Sequence, residues 1–447
     1  MITMPPRNKH FHCHSREPFK DEKLALEHAE GPLGFLNPTR AHFHYPVPSG
    51  SDKHLAKGDE SENSDVNGYG DHNPEQPNEQ QDDEPAKNVK FLWRSRDNRK
   101  GRHALLVQRP EAGQDAPFLV PRKTSHYKEI LKVIWLTFTY FPLWDISWLV
   151  AFIFTLGSVV WVLNGFFVWL PVVAPSTEFP NEIYVGGGVT AFLGAIIFFE
   201  FGSILLFFEA VNSNNSGCFG WAVEQLAEEK DGGQPKFQFS ANLDHCRHHH
   251  QNRRNFVGKS SYRLAEEAQL KAQTTKDGKS WIWFPSWHDL RTHYLHELGF
   301  LAGIAQLTGA TIFGVAGFTA LPGIQNHLTP QWRLNAAYWI PQVIGGTGFI
   351  VSSTLYMLET QQKWWKPALK VLGWHIGFWN LIGALGFTLS GALGMAYGNS
   401  GAQYEAGLAT FWGSWAFLIG SYIQLYESLD THPVEEVSSA EDFNRTQ

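Results

Sequence analysis

The chain has 447 residues, with 33 Phe and 18 Trp; aromatics make up 14% and charged residues only 18%. Charged residues form about a quarter of an ordinary soluble domain, so the composition argues against a plain soluble enzyme, and 3 Cys argue against a disulfide scaffold. The net charge of -7 gives no bias toward nucleic acid. The mean hydropathy of -0.24 averages a polar first quarter with strongly apolar later segments.

Residues 1–89 lack sustained apolar periodicity and are rich in Pro, Asn, Gln, Asp and Ser, as in Gly70-Asp71-His72-Asn73-Pro74-Glu75. Such a stretch cannot bury enough apolar surface to offset its ordering entropy, which predicts a disordered cytosolic N-terminal region. The first residues form no apolar signal segment and do not begin Met-Gly, so neither secretion nor myristoylation is expected. Residues 90–144 form a basic juxtamembrane and interfacial segment. Between 90 and 132, eleven Lys or Arg, among them Arg96, Arg99, Lys100 and Arg102, face four acids. This implies attraction to an anionic cytosolic leaflet, or the plain positive bias of an inside segment. From Tyr127 to Tyr140 the apolar residues follow helical spacing and Pro142 stops it, which predicts an interfacial helix.

Six apolar stretches follow, near 146–170, 185–209, 297–321, 337–359, 373–396 and 406–427. Each is long enough for the ~20 residues of helix a bilayer takes. The loops at 171–184 and 397–405 carry no Lys or Arg and 322–336 only Arg333, whereas 360–372 carries Lys363, Lys366 and Lys370. The positive-inside rule then places both termini and the long 212–296 loop in the cytosol, in a plasma membrane or an endomembrane. The expected partner is the lipid bilayer. No nucleic acid and no cofactor is expected, and the sequence does not identify a protein partner.

The six stretches share a pattern that predicts three hairpins, at 145–211, 297–361 and 373–428, followed by an acidic cytosolic tail at 429–447. In the first helix of each, glycines sit eight apart (Gly157/Gly165, Gly309/Gly317, Gly383/Gly391), and an aromatic lies four after the first glycine (Trp161, Phe313, Phe387). In the second helix a Ser lies six before a Glu (Ser203/Glu209, Ser353/Glu359, Ser421/Glu427), with Phe199, Phe349 or Phe417 ten before that Glu. The fold class expected is therefore an all-α membrane protein of six transmembrane helices. Small residues fit this, because helices in lipid associate by close packing.

The runs Phe154 to Ser158, Phe199 to Ser203 and Phe417 to Ser421, each an aromatic, two residues and Gly-Ser, resemble the YrhK-type two-helix membrane unit of bacteria. The second hairpin departs, with Ser352-Ser353. The region from about 90 to 430, including Trp144-Asp145-Ile146-Ser147 and the run Gly373 to Asn380, resembles uncharacterised multi-pass integral membrane proteins of filamentous fungi. That resemblance implies a fold and a membrane and no assigned activity.

Glu200 is the most informative single residue: a carboxyl inside a span is costly and a candidate functional group. Gln306 and Asn380 reach a similar depth, so an intramembrane polar cluster of Glu200, Gln306 and Asn380 is expected, able to bind a proton or small solute or simply to hydrogen-bond helices together. Glu209, Glu359 and Glu427 end their helices at the cytosolic side. They are candidates for an acidic ring at a mouth, against the plainer pairing with nearby Lys and Arg. No metal site is expected. The nearest candidates, His245, Cys246, His248, His293 and His296, lack the paired spacing of zinc ligands. No phosphate-binding loop, His-Glu-x-x-His or nucleophile elbow occurs, so an enzyme is not expected. Two functions stay open: a small-solute or ion/proton pathway through the bundle, or a structural or regulatory membrane component acting through its cytosolic segments.

Overall fold

A computed structural model of the chain describes residues 25–44, 89–102, 104–108, 123–213, 215–220, 223, 281–396, 398–430 and 433–437. The molecule is mostly helical. The long helices are α3 (Ile146–Val173), α4 (Glu182–Val211), α6 (Leu298–Thr319, after the short α5 at Trp287–Thr292), α7 (Ile340–Thr360), α8 (Leu372–Gly394) and α9 (Ser400–Leu429). Four of them, α3, α4, α6 and α8, are long and apolar enough to cross a membrane. The start of α3 is fixed by Asp145, whose carboxylate accepts the Ser147 N–H at 2.8 Å. Asn399 does the same for α9, as N-cap residues should. Two stretches of α4, Glu182–Gly187 and Leu193–Glu200, are wound in wider i→i+5 turns.

The six helices pack in chain order, α3 on α4, α4 on α6, α6 on α7, α7 on α8 and α8 on α9, and α9 returns to α3. The result is a closed ring. Its middle is filled by six rings. Trp161, Phe313 and Phe387 form one triangle, with centroids 5.7, 5.8 and 4.7 Å apart. Phe199, Phe349 and Phe417 form a second, at 6.0, 6.4 and 5.5 Å. The two triangles join edge by edge, Trp161 to Phe199 at 6.1 Å, Phe313 to Phe349 at 5.6 Å and Phe387 to Phe417 at 5.4 Å. All six are buried, at separations where aromatic pairs attract beyond their area. Close approach needs glycine: a Cβ on Gly383 would lie 2.7 Å from the Phe417 ring.

The all-α expectation needs correction, as does disorder across residues 1–89. β1 (Ala25–Glu30), β2 (Arg40–His44), β3 (Val89–Arg94), β4 (Ala104–Gln108) and β5 (Val434–Val437) form one sheet in that order. β1 to β4 pair antiparallel, and β5, from the tail, runs parallel to β4. These strands are only four to six residues long, and β5 pairs with a strand hundreds of residues earlier, so local periodicity does not reveal them. The rest of 1–89, apart from the 31–39 turn, lies outside the described residues. Between β3 and β4 sits the short helix α1 (Ser95–Arg99). The expected interfacial helix is α2 (Tyr127–Thr139), with Trp135 and Phe138 exposed.

Candidate functional site

The acids that end α4, α7 and α9 converge at one end of the ring. Glu209, Glu359 and Glu427 are all buried. Three helix C-termini also bring their carbonyl ends here, which makes the spot doubly unfavourable for anions. The charge is met from outside the bundle. The turn Ser95–Arg102 between β3 and β4 enters the mouth with four buried cations, Arg96, Arg99, Lys100 and Arg102. Arg96 grips Glu427 with two bonds, Nε to Oε1 at 3.2 Å and Nη2 to Oε2 at 2.7 Å. Arg99 spans two helices, donating to Glu359 at 2.6 and 3.1 Å and to Glu209 at 3.2 Å. Arg102 lies 3.1 Å from Glu427, donates to Asp97 at 2.8 Å and binds the Asp430 carbonyl at 2.7 Å. Ser95 adds a bond from its hydroxyl to Glu359 at 2.8 Å. Fork-shaped guanidiniums suit such bidentate pairing better than ammoniums.

Local sequence makes this entry possible. Gly101 holds φ +66, the left-handed turn that closes α1, and the Ser216 hydroxyl donates to the Lys100 carbonyl at 3.0 Å. Gly299, the second residue of α6, gives Arg99 its seat: a Cβ there would fall 1.7 Å from Arg99 Nη1 and 2.6 Å from Glu359 Oε1. The sheet fixes the turn from above. The Asn37 N–H donates to the His296 carbonyl at 2.8 Å, and Arg40 bonds the Thr360 carbonyl at the end of α7.

Burial works against each of these charges, yet Glu359 and Glu209 leave Arg99 held above its ordinary pKa. Asp97, Glu427 and Asp430 do the same for Arg102. Lys100 differs. Burial lowers its pKa, Glu427 opposes this, and the neighbouring Arg96 adds to the lowering. Its Nζ lies 3.3 Å from Glu427 Oε2 but makes no hydrogen bond. On the rim, burial raises the Asp145 carboxyl to about 6, with the Ser147 N–H opposing.

Below this cluster, between it and the aromatic layer, lies a chamber of about 50 Å³. That is room for a few waters. Its roof is Arg96, Arg99 and Lys100, and Phe154, Phe199 and Phe417 line it on the aromatic side. The polar lining comes from Gln306, Ser353, Tyr356, Asn380, Ser421 and Gln424. Ser421 shares a bond with Ser158 at 3.1 Å, and Arg99 stacks over the Tyr356 ring at 5.1 Å.

The expected trio is therefore divided. Gln306 and Asn380 line one chamber, whereas Glu200 is not part of its lining. Glu200 instead faces α6, where Thr311 Oγ1 donates to its Oε1 at 2.9 Å. The physical reason is helical phase: Glu200 follows Phe199 by one residue, and Phe199 points inward. The three mouth acids are brought together, and Arg96, Arg99, Lys100 and Arg102 are their partners. Those cations are thus buried in protein and do not face a leaflet. Their signal in the sequence was spacing: 96, 99 and 100 share one helical face, and three buried acids demand cations. Tyr356 and Gln424 carried no signal, being ordinary residues of amphipathic helices.

Among the described residues no three His, Cys, Asp or Glu side chains are grouped to hold a metal. His293 pairs with Glu297 at 3.4 Å, and the His296 carbonyl serves Asn37. His245, Cys246 and His248 lie outside the described residues. Comparison with protein-family models, with curated proteins and with solved structures finds no match to this chain.

Proposed function

We propose that the chain is a six-span integral membrane protein of three hairpins, with both termini cytosolic, and that its bundle is a small-solute or ion pathway held shut by the turn Ser95–Arg102. Four helices already have the length and apolarity to span. The remaining two, α7 and α9, pack between them in the same ring and carry the same Phe and Glu positions. The absence of Lys and Arg from two of the three loops at the far end, with only Arg333 in the third, supports the orientation. The likeness to multi-pass membrane proteins of filamentous fungi belongs to the same proposal.

One observation carries the pathway reading. A polar chamber lies directly under three carboxylates at equivalent positions, and what covers it is a segment from another part of the chain. A buried ion-pair network of this sort is a suitable two-position element, since such pairs specify arrangement more than they add stability. The role is passage, with no catalytic step.

The test uses the full chain in liposomes, with flux of protons, potassium and chloride followed by dyes. Wild type is expected to be nearly silent, and Arg96→Ala with Arg99→Ala to raise flux about tenfold or more, a change of roughly 1.4 kcal/mol in the barrier. Silence in a correctly folded double variant would withdraw the pathway. Accessibility of single cysteines placed at Ser176, Gln325 and Gly398 checks the spans: all three should label from outside the cytosolic face.

A second reading has its own support, the six packed rings that fill the axis below the chamber. In it, the bundle is a structural or regulatory membrane component that acts through its cytosolic sheet. A silent, stable double variant favours this reading.

A further inference from the structure

The chamber under the charged cluster has an unusual lining. Three cations, Arg96, Arg99 and Lys100, reach it, and no carboxylate does. The carboxylates that balance the two arginines engage two N–H groups of Arg96 and three of Arg99. Lys100 is not satisfied in this way. Its side chain is 1% exposed, its nearest acid is a carboxylate oxygen shared with Arg96, and its Nζ forms no hydrogen bond. A buried ammonium without hydrogen bonds is costly. The same chamber holds a second orphan, the buried Tyr356 hydroxyl. Among the described residues, no hydrogen bond is made by the side-chain amides of Gln306, Asn380 or Gln424, which also line it. Buried polar groups are nearly always paired, and the buried Lys100 ammonium is a donor only, so it and the Tyr356 hydroxyl point to an occupant that accepts.

We infer that the chamber binds one small monovalent anion, held by the Lys100 ammonium with the Tyr356 hydroxyl and the amides of Gln306, Asn380 and Gln424. The ammonium can only donate, the hydroxyl and the amides can each turn a donor to the anion, and an ammonium–anion bond is of the stronger, charge-assisted kind. A cation would meet three positive charges and no acid. The space suits a halide, nitrate or formate rather than a larger metabolite. The inference rests on the chamber of the pathway reading but not on passage through the bundle.

The experiment titrates the full-length protein in nanodiscs with chloride, nitrate and formate against a gluconate background. It reads chloride-35 line broadening and the shift of the unfolding temperature. Saturable binding is expected in wild type. Lys100→Met should weaken it about tenfold, the size of a lost charged hydrogen bond, and Tyr356→Phe by a smaller factor. The three anions separate an inorganic from a carboxylate ligand by their order of affinity. A response that rises linearly for all three anions means the chamber holds only water and overturns the inference. Saturation untouched by either variant means binding elsewhere and overturns it too. Should Lys100→Met not fold, Tyr356→Phe alone decides, because it removes one oxygen and keeps the ring under Arg99. Saturable binding without flux would withdraw the pathway and keep the site; flux without saturable binding would do the reverse.

Discussion

Two layers of the ring lie ten residues apart on each of α4, α7 and α9, about 15 Å along a helix. The aromatic layer is built within the bundle: Trp161, Phe313, Phe387, Phe199, Phe349 and Phe417 touch one another, and only the Trp161 indole N–H is left without a hydrogen bond. The mouth layer is not. Glu209, Glu359 and Glu427 would be three buried carboxylates without a cation if the turn between β3 and β4 were absent. Packing of rings is short-ranged and forgiving of a lost neighbour. A buried charge is neither, since its cost falls on whichever partner is left behind. The bundle therefore holds its own middle, while its mouth depends on a segment supplied from elsewhere in the chain.

This difference sets the order of expected effects. Arg99→Met should be the most damaging single change. It leaves Glu209 and Glu359 buried with no guanidinium, and breaking a buried pair on one side costs about 3–5 kcal/mol. Thermal unfolding in detergent measures it. Adding Glu359→Gln should return part of the loss, because the two positions are coupled. A neutral Arg99→Met would mean that the turn leaves the mouth readily.

Phe387→Ala tests the other layer. In a soluble core such a truncation costs about 3–5 kcal/mol. Here lipid is itself apolar, so only the packing share is lost and about 2 kcal/mol is expected. A loss larger than that of Arg99→Met would reverse the contrast drawn above.

The aromatic layer was the more legible of the two. Its six positions stand in sequence columns, four after a glycine or ten before a glutamate, and the structure joins them into two stacked triangles. The mouth was half legible. Its acids stood in a column, but their partners Arg96, Arg99, Lys100 and Arg102 lay in a stretch that resembled any basic flank of a membrane helix. Nothing local ties Arg96 to Glu427, which is 331 residues away. The sheet was not legible: its strands are four to six residues long, β1 and β2 lie in a polar stretch, and β5 pairs with β4 from the tail, so the pairing depends on tertiary context. Glu200 was singled out correctly as a carboxyl within a helix, but one residue of helical phase takes it off the axis.

A smaller effect belongs to the rim of the mouth. The Asp145 carboxyl is raised by burial to about 6 from an ordinary 3.8. Between those values the native state keeps a proton that the unfolded chain has released. Stability is therefore greatest below the ordinary value, falls as pH rises toward about 6, and is level above. Asp145→Asn keeps an acceptor for the Ser147 N–H and should flatten that slope in unfolding temperatures taken from pH 4 to 7. An unchanged slope would assign the proton to another group. Because Asp145 is only half-buried, the slope should be shallower than either core substitution is damaging.

Glu200→Gln should be the mildest of these changes for stability, and it bears on both readings of the bundle. Glu200 makes one hydrogen bond, from Thr311 Oγ1 at 2.9 Å, and lies outside the polar chamber. The amide retains an acceptor for that hydroxyl and has nearly the same shape, so unfolding should shift by less than about 1 kcal/mol. If Glu200 only ties α4 to α6, then Thr311→Val should cost as much as Glu200→Gln or more, and flux through a variant with the mouth opened should be unchanged by either. If flux falls in Glu200→Gln while stability holds, the route runs along the α4–α6 face past Glu200. The aromatic layer would then be a wall beside the path, with no need for its six rings to part.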